Sequence, residues 1–279
     1  MFGSCRILDI VHDGPLSMVY RAYDESLQRP VAIKIVPRDH SADTTNLRRC
    51  RAEARLLARF DHPNIVQVYR TGVLPDGLPW IEMAWVDGAS LRDRISRHGA
   101  LPAWEALDVL CQAARGLEAA HAAGVVHRDV KPANVLLGSN GIVRVADFGL
   151  ATSIGPSTSH NVRDRTTSPD EIVGTPQFMP PEQFELGSQV DDRADVFSFG
   201  MTAWCTFAGT KPFGGRSVQE LLESGVSLAL PELPAFVPEP VDALLQEACA
   251  VRPECRPAMG EVAAQLELMR DDVWYTGLA

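Results

Sequence analysis

The spacing of hydrophobic residues changes once along this chain, near residues 84–88. Before that point, apolar residues form short β-branched runs such as "RPVAIKIV" (Arg29–Val36) and "LPWIEMAWVDG" (Leu78–Gly88), which predict strands. After it, apolar residues recur every three or four positions, as in "EALDVLCQAARGLEAAHAAG" (Glu105–Gly124), which predicts a helix that ends at a glycine. The pattern therefore predicts a strand-rich region followed by a helical one.

Further segments refine this outline. "VHDGPLSMVYRAYD" (Val11–Asp24) predicts a strand, a turn and a second strand. "NLRRCRAEARLLARF" (Asn46–Phe60) places apolar residues at helical spacing and predicts one helix within the strand-rich region. "DVFSFGMTAWCTFAG" (Asp195–Gly209) is apolar nearly all round, which indicates a buried helix. Residues 239–251 and 257–269 predict two closing helices.

The bulk composition excludes some classes of function. The chain has 279 residues and a formal net charge of −10, which argues against binding to nucleic acid. No apolar run approaches the roughly 18 residues of a membrane helix. The start "MFGSCRILDI" has neither the charged beginning nor the long apolar stretch of a signal peptide, and Phe2 excludes N-myristoylation. We therefore expect a cytoplasmic chain without a membrane segment.

The six cysteines are scattered, and none forms a CxxC pair. This spacing argues against a zinc site. We expect reduced thiols packed as small hydrophobic side chains.

Candidate chemistry is concentrated in four short segments. They are "VAIK" (Val31–Lys34), Glu53, "HRDVKPANVLL" (His127–Leu137) and "DFG" (Asp147–Gly149). Taken singly, each has an ordinary explanation, since Lys34 and Glu53 could form a surface ion pair and "HRD" could be a turn. In this order and spacing, the four segments resemble the protein kinase family.

Later segments extend the resemblance. "GTPQFMPPE" (Gly174–Glu182) resembles the close of a kinase activation segment, and Arg256 stands where the family pairs a late arginine with Glu182. Asp195 stands where the family braces the catalytic loop. The resemblance runs from about residue 6 to about residue 269.

The resemblance implies an α+β fold class, the bilobal protein kinase fold. It has a small β-rich N-lobe with one main helix and a larger helical C-lobe. A single kinase domain would then occupy residues 1–279. Its N-lobe would cover about 1–83, the hinge about 84–88 and the C-lobe about 89–279.

The resemblance also assigns catalytic roles, and the chemistry explains the residue types. Phosphoryl transfer requires positioning and charge neutralisation more than covalent chemistry. Asp129 would accept the proton of the substrate hydroxyl, and Lys131 would balance charge at the γ-phosphate. Asn134 and Asp147 offer oxygen ligands suited to Mg²⁺, or to Mn²⁺ in its place.

ATP is the implied cosubstrate. Lys34 would contact its α- and β-phosphates, with Glu53 holding the ammonium. Met83 falls at the gatekeeper position, and the backbone of Ala84 and Val86 would bond the adenine edge. The remaining residues implied to line the nucleotide are apolar or glycine: Val11, Gly14, Val19, Ala32 and Leu136.

The glycine-rich hairpin departs from the family pattern. With Val19 as the anchor, the three glycine positions hold His12, Gly14 and Ser17. Glycine serves there because the backbone must approach the phosphates without a Cβ. Pro15 also removes one backbone N–H. We expect a weakened but working loop with a raised KM for ATP.

Regulation is the last implied property. An arginine directly before the catalytic aspartate, here Arg128, marks kinases whose activation loop is organised by phosphorylation. The polar stretch at residues 153–168 predicts a loop, and its end offers Thr166, Thr167 and Ser168 as acceptors. Dimerisation would let one copy phosphorylate another.

The leading hypothesis is an active serine/threonine kinase that phosphorylates proteins, because "DVKPAN" resembles the Ser/Thr form of the kinase catalytic loop. The short loops and the segment "HPNIVQVYRTG" (His62–Gly72) resemble those of bacterial kinases of the eukaryotic type. One alternative is a weakly active pseudokinase that binds ATP as a scaffold, which the altered hairpin would favour. Another is a small-molecule kinase, which "GTPQFMPPE" disfavours.

Overall fold

The computed structural model describes most of the chain in two compact units, which divide between Asp87 and Gly88. The described residues are 2, 4–14, 17–35, 58, 60–75, 77–148, 176–184 and 190–276, with side chains to 273. The predicted helix at 46–60 lies almost entirely outside them, and the predicted loop at 153–168 lies wholly outside them.

Strands dominate the first unit, and helices dominate the second. The strands are β1 (Cys5–Gly14), β2 (Ser17–Asp24), β3 (Arg29–Ile35), β4 (Val68–Val73), β5 (Pro79–Ala84), β6 (Gly88–Ser90), β7 (Val135–Gly138) and β8 (Val143–Val145). The helices are α1 (Leu91–His98), α2 (Ala103–Ala122), α3 (Arg193–Ala208), α4 (Val218–Glu223), α5 (Glu239–Ala248) and α6 (Met259–Thr276).

The first unit contains one antiparallel sheet with the strand order β1-β2-β3-β5-β4. Its central strand β3 alternates between two buried faces, as its β-branched sequence predicts. Val31 and Ile33 join Ala22 and Cys5 in a core that packs against partly buried aromatic rings. Residues 32 and 34 lie on the opposite face.

Two extra residues interrupt the pairing of β1 with β2. The register shifts between Ile7 and Asp9, and again between Ile10 and His12. Each shift leaves one residue of β1 without a partner, which is a β-bulge. β1 lies at the edge of the sheet, and Val11, the second unpaired residue, is 53% exposed.

A polar network closes the base of the same hairpin. Glu82 accepts a hydrogen bond from Arg70 Nε at 2.6 Å and lies 3.2 Å from the Cys5 thiol. The Asp24 carboxylate accepts from the Ser4 hydroxyl at 2.8 Å, and Arg70 also lies 3.6 Å from it. Arg70 therefore compensates two buried carboxylates. Sequence spacing gave no sign of this cluster.

The second unit is organised around helix α3. Its residues from Ala194 to Phe207 are all buried, as the apolar sequence predicts. Its Ser198, Thr202 and Thr206 hydroxyls each donate to the carbonyl four residues earlier, which satisfies them inside the core. The two predicted closing helices are present as α5 and α6.

The cysteine prediction holds for four of the five cysteines that the structure describes. Cys5, Cys111, Cys205 and Cys249 are buried free thiols, whereas Cys255 is an exposed one. Burial raises the pKa of Cys5 to about 11, with the neighbouring Glu82 adding to the effect. Among the described helices, none is both long enough and apolar enough to cross a membrane.

Candidate active site

The segment from His127 to Asn134, in the second unit, is held by one buried carboxylate. Asp195, in the first turn of α3, is fully buried. Its two oxygens accept the backbone N–H groups of His127 and Arg128, each at 2.7 Å. Asp195 therefore braces this loop, as the family resemblance implies.

A third contact to Asp195 was not predicted. His121 Nε2, at the end of α2, lies 2.7 Å from Asp195 Oδ2. In the sequence, His121 stands four residues after Leu117 and so lies on the apolar face of its helix, where nothing in the local pattern indicates a polar contact. The partner is 74 residues away in the chain, so only the tertiary structure reveals it.

His127 links the loop to the segment before Asp147. Its Nδ1 accepts the Asp129 N–H at 3.2 Å, and its Nε2 lies 2.9 Å from the Ala146 carbonyl. These contacts fit the tautomer protonated on Nε2. The ring also packs on Phe148, with the ring centroids 4.5 Å apart.

Ala146 completes the connection, because its N–H donates to the Asn134 carbonyl at 2.8 Å. Both backbone groups of Ala146 are thus bonded to the catalytic loop. The two proposed metal ligands, Asn134 and Asp147, are in this way tied together through a single residue.

The three predicted catalytic side chains lie in direct contact. Lys131 Nζ is 2.8 Å from Asp129 Oδ2. Asn134 Nδ2 donates to the Asp129 backbone carbonyl at 2.8 Å and to Oδ2 at 3.1 Å. Asn134 is buried, whereas the Asp129 side chain is 34% exposed and so open to a substrate.

Two residues of this region have a strained backbone. Arg128 and Asp147 have φ values of 65° and 61°, in the left-handed region that non-glycine residues rarely occupy. Each such residue costs on the order of 1–3 kcal/mol and persists only where surrounding contacts fix it. For Arg128, that contact is its N–H bond to Asp195.

The donor set fits a divalent cation that prefers oxygen. Both contacts of the Asn134 amide nitrogen go to Asp129, so the amide oxygen is the atom that can ligate. A carboxylate and an amide oxygen suit Mg²⁺ better than a soft metal.

The first unit carries most of the predicted nucleotide residues, and strand register places several on one sheet face. Val19 pairs with Lys34, and Ala32 pairs with Met83. Directly opposed residues share a face, and so do residues two apart. Lys34 is only 5% exposed.

Register also constrains how the predicted adenine contacts could form. The Ala84 N–H donates to the Gln67 carbonyl at 2.9 Å, so an adenine contact from Ala84 has to use its carbonyl. Val86 follows just after the end of β5. Leu136, in the second unit, pairs with Ser90 and Arg144 in the small sheet β6-β7-β8.

Four predicted site residues lie outside the described residues. They are Glu53, Thr166, Thr167 and Ser168. The pairing of Glu182 with Arg256 is present: the guanidinium nitrogens contact the two carboxylate oxygens at 2.6 and 2.9 Å.

The first unit is a sheet of strands that includes "VAIK", and the second is mainly helical and holds the His127–Asn134 loop with Asp147 and Phe148. This arrangement is that of a protein kinase fold. The chain matches the protein kinase domain family over residues 6–266 and belongs to that family. The predicted fold class is therefore confirmed.

Mycobacterial kinases are among its relatives. The chain is 39% identical to the serine/threonine-protein kinase PknB of Mycobacterium leprae over 212 residues, which is 75% of this chain and 33% of that protein. It is 35% identical to PknL of Mycobacterium tuberculosis over 268 residues, 94% of this chain and 65% of that protein. The crystal structure of the Mycobacterium tuberculosis PknI kinase domain superposes with a TM-score of 0.74 at 28% identity, covering 96% of both chains. The chain thus spans about a third of the length of PknB.

Proposed function

We propose that this chain is a catalytic domain that transfers the γ-phosphoryl group of ATP to Ser and Thr hydroxyls of proteins. The observation that carries the proposal is the contact cluster of Asp129, Lys131 and Asn134 on a loop fixed by Asp195. Its relatives PknB and PknL are named serine/threonine-protein kinases.

Asp129 is the proposed general base. Its carboxylate is partly exposed, and contacts with Lys131 and Asn134 hold it in one orientation. It would accept the proton of the substrate hydroxyl and align that oxygen. Lys131, whose Nζ lies 2.8 Å from this carboxylate, would balance charge at the γ-phosphate.

Asn134 and Asp147 are the proposed ligands of the metal, Mg²⁺ or Mn²⁺. A divalent cation, when bound, neutralises charge on the transferred phosphate. The role of this chain is to hold the two ligands at a fixed separation. The hydrogen bonds of the Ala146 backbone to Asn134 and His127, at 2.8 and 2.9 Å, support this role, because they fix the backbone next to Asp147.

The first unit supplies the proposed nucleotide contacts. Lys34 would contact the α- and β-phosphates, and Glu53 would hold its ammonium. Val11, Gly14, Val19 and Ala32 would line the nucleotide with Leu136. Met83, Ala84 and Val86 would meet the adenine.

The decisive test is ATP turnover with a generic protein substrate, with Mg²⁺, with Mn²⁺ and with neither. We expect turnover with a divalent cation and none in its absence. The Asp147→Asn variant serves as the negative control. ATP binding without turnover by the wild-type protein would contradict the proposal and favour the ATP-binding scaffold.

Activation-loop autophosphorylation is a further part of the proposal. The Arg128 side chain is exposed, and its backbone N–H is bonded to Asp195. The exposed guanidinium therefore extends from a fixed backbone position. A phosphate on Thr166, Thr167 or Ser168 would offer oxygens that arginine binds in bidentate fashion. Phosphopeptide mapping should find modification there in the wild type and none in Asp147→Asn.

Two variants test this switch. Thr166→Ala combined with Thr167→Ala should lower activity, and adding Arg128→Ala should lower it little further, because both changes remove one contact. If the rate of autophosphorylation per molecule rises with protein concentration, the phosphate is transferred between two copies. Full activity in a preparation without phosphate in the loop would exclude the switch.

A further inference from the structure

His12 lies near the tip of the β1–β2 hairpin, where the family pattern has a glycine. It is an exposed residue, and its partner across the sheet is Val19. Val19 in turn pairs with Lys34. Because directly opposed residues share a face, His12, Val19 and Lys34 form one row on the same side of the sheet.

The bulge at Val11 creates this arrangement. Ile10 pairs with Tyr20, which packs on the core face. In a regular strand His12, two residues on, would share that face with Ile10. The unpaired Val11 reverses the alternation and directs His12 to the side of Lys34.

The His12 ring also turns toward the hairpin tip. A Cβ added to Gly14 would lie 2.6 Å from His12 Nε2 and 3.1 Å from Cε1. The imidazole therefore covers the open surface that the remaining glycine of the loop provides. In the proposed function, this is the surface that faces the phosphates.

The charges near His12 are mixed. Lys34 on β3 and Arg21 on β2 share its face, and Arg21 pairs with Asp9 of β1. Asp13 pairs with Met18 and follows on the opposite face. Arg6, which pairs with Tyr23, lies on this face as well. Among the described strand residues the face thus carries three cations and one carboxylate besides the imidazole, a balance suited to an anionic ligand.

We propose that His12 is a phosphate contact whose effect on ATP affinity depends on its protonation. This inference rests on the proposed function and extends it. The neutral ring occupies space at Gly14 and weakens ATP binding. The imidazolium donates a charge-assisted hydrogen bond to phosphate oxygens and offsets that loss.

The test compares dissociation constants of the wild type and His12→Gly at pH 6 and pH 8. Direct binding of ATP with Mg²⁺ is measured, and adenosine, which lacks phosphates, is the control ligand. His98→Gln, at an exposed histidine in the last turn of α1, controls for general pH effects. The ratio of the wild-type constant to the His12→Gly constant removes the titration of ATP itself.

At pH 8 we expect His12→Gly to bind ATP more tightly than the wild type. At pH 6 the ratio should fall by about threefold, the scale of one exposed charge pair. For adenosine the ratio should not change with pH, and His98→Gln should follow the wild type.

An ATP ratio that is the same at both pH values would overturn the inference and leave a purely steric role. An equal pH effect with adenosine would also overturn it, because the contact would not be to phosphate. A wild type that binds no ATP at either pH would instead overturn the proposed function.

Discussion

The catalytic loop and the β1–β2 hairpin carry the proposed chemistry of the two units, and they are built in opposite ways. The loop is fixed by buried side chains: Asp195 holds two backbone N–H groups, and His127 is fully buried. The hairpin lies at a sheet edge, and nearly every residue of β1 after Cys5 is exposed. The conformation of the loop therefore depends on the identity of buried side chains, whereas the conformation of the hairpin depends on backbone pairing with β2.

This difference explains where the sequence departs from the family pattern. The substitutions at His12 and Ser17 affect side chains that are exposed or half-buried, next to the proposed nucleotide site. A substitution in the loop would leave buried polar groups without partners, which costs more. The chain accordingly keeps "HRDVKPAN" intact and varies at His12 and Ser17.

The largest effect should come from Asp129→Asn. The substitution keeps the shape of the side chain but removes the proposed base, so kcat should fall by about 10² to 10⁴. Steady-state kinetics measures this, with Asp271→Asn, an exposed carboxylate in α6, as the matched control. Turnover near the wild-type level would refute the assignment of Asp129.

A smaller effect should follow from Asp195→Asn. The asparagine amide has one oxygen that accepts and one nitrogen that donates, so one of the two backbone N–H groups held by Asp195 loses its acceptor. Losing a hydrogen bond to a charged group lowers the free energy of unfolding by about 1.5–3 kcal/mol. Urea unfolding should show that loss, and kcat should fall while the KM for ATP changes little. Unchanged stability would mean that Asp195 does not brace the loop.

The hairpin should respond in the other direction. His12→Gly combined with Ser17→Gly, assayed at pH 8, should lower the KM for ATP by a few fold with little change in kcat, because it relieves crowding in the ground state. Varied-ATP kinetics decides the point. A raised KM would show that the hairpin is already adapted to its own residues.

The smallest effect should come from the base of the hairpin. The Ser4 hydroxyl bond is the main reason that the pKa of Asp24 lies below its ordinary value of 3.8. A lowered pKa contributes stability above the ordinary value, and this contribution is lost as the pH falls through the shifted one. Ser4→Ala should therefore lower the urea midpoint slightly at pH 7, and the difference should shrink below about pH 4. A difference that grows in acid would contradict this account.

The sequence alone determined the order of the chemical motifs along the chain and the type of each main secondary-structure element. The spacing of hydrophobic residues distinguished predicted strands from predicted helices, because two-residue alternation and 3.6-residue repeats are local properties of the sequence. The apolar segment at 195–209 therefore predicted the buried helix α3. The spacing of "VAIK", "HRD" and "DFG" indicated the kinase family without any three-dimensional information.

Only the tertiary structure decided how those residues are held. The contacts of Asp195 with His121 and His127 join positions 74 and 68 residues apart, and Arg70 reaches Cys5 across 65. The bulge at Val11 places His12 on the face of Lys34, although strand alternation read from the sequence would put it on the core face. Strand register and long-range contacts depend on which distant segments of the chain pack together. A local pattern of residues does not contain that information.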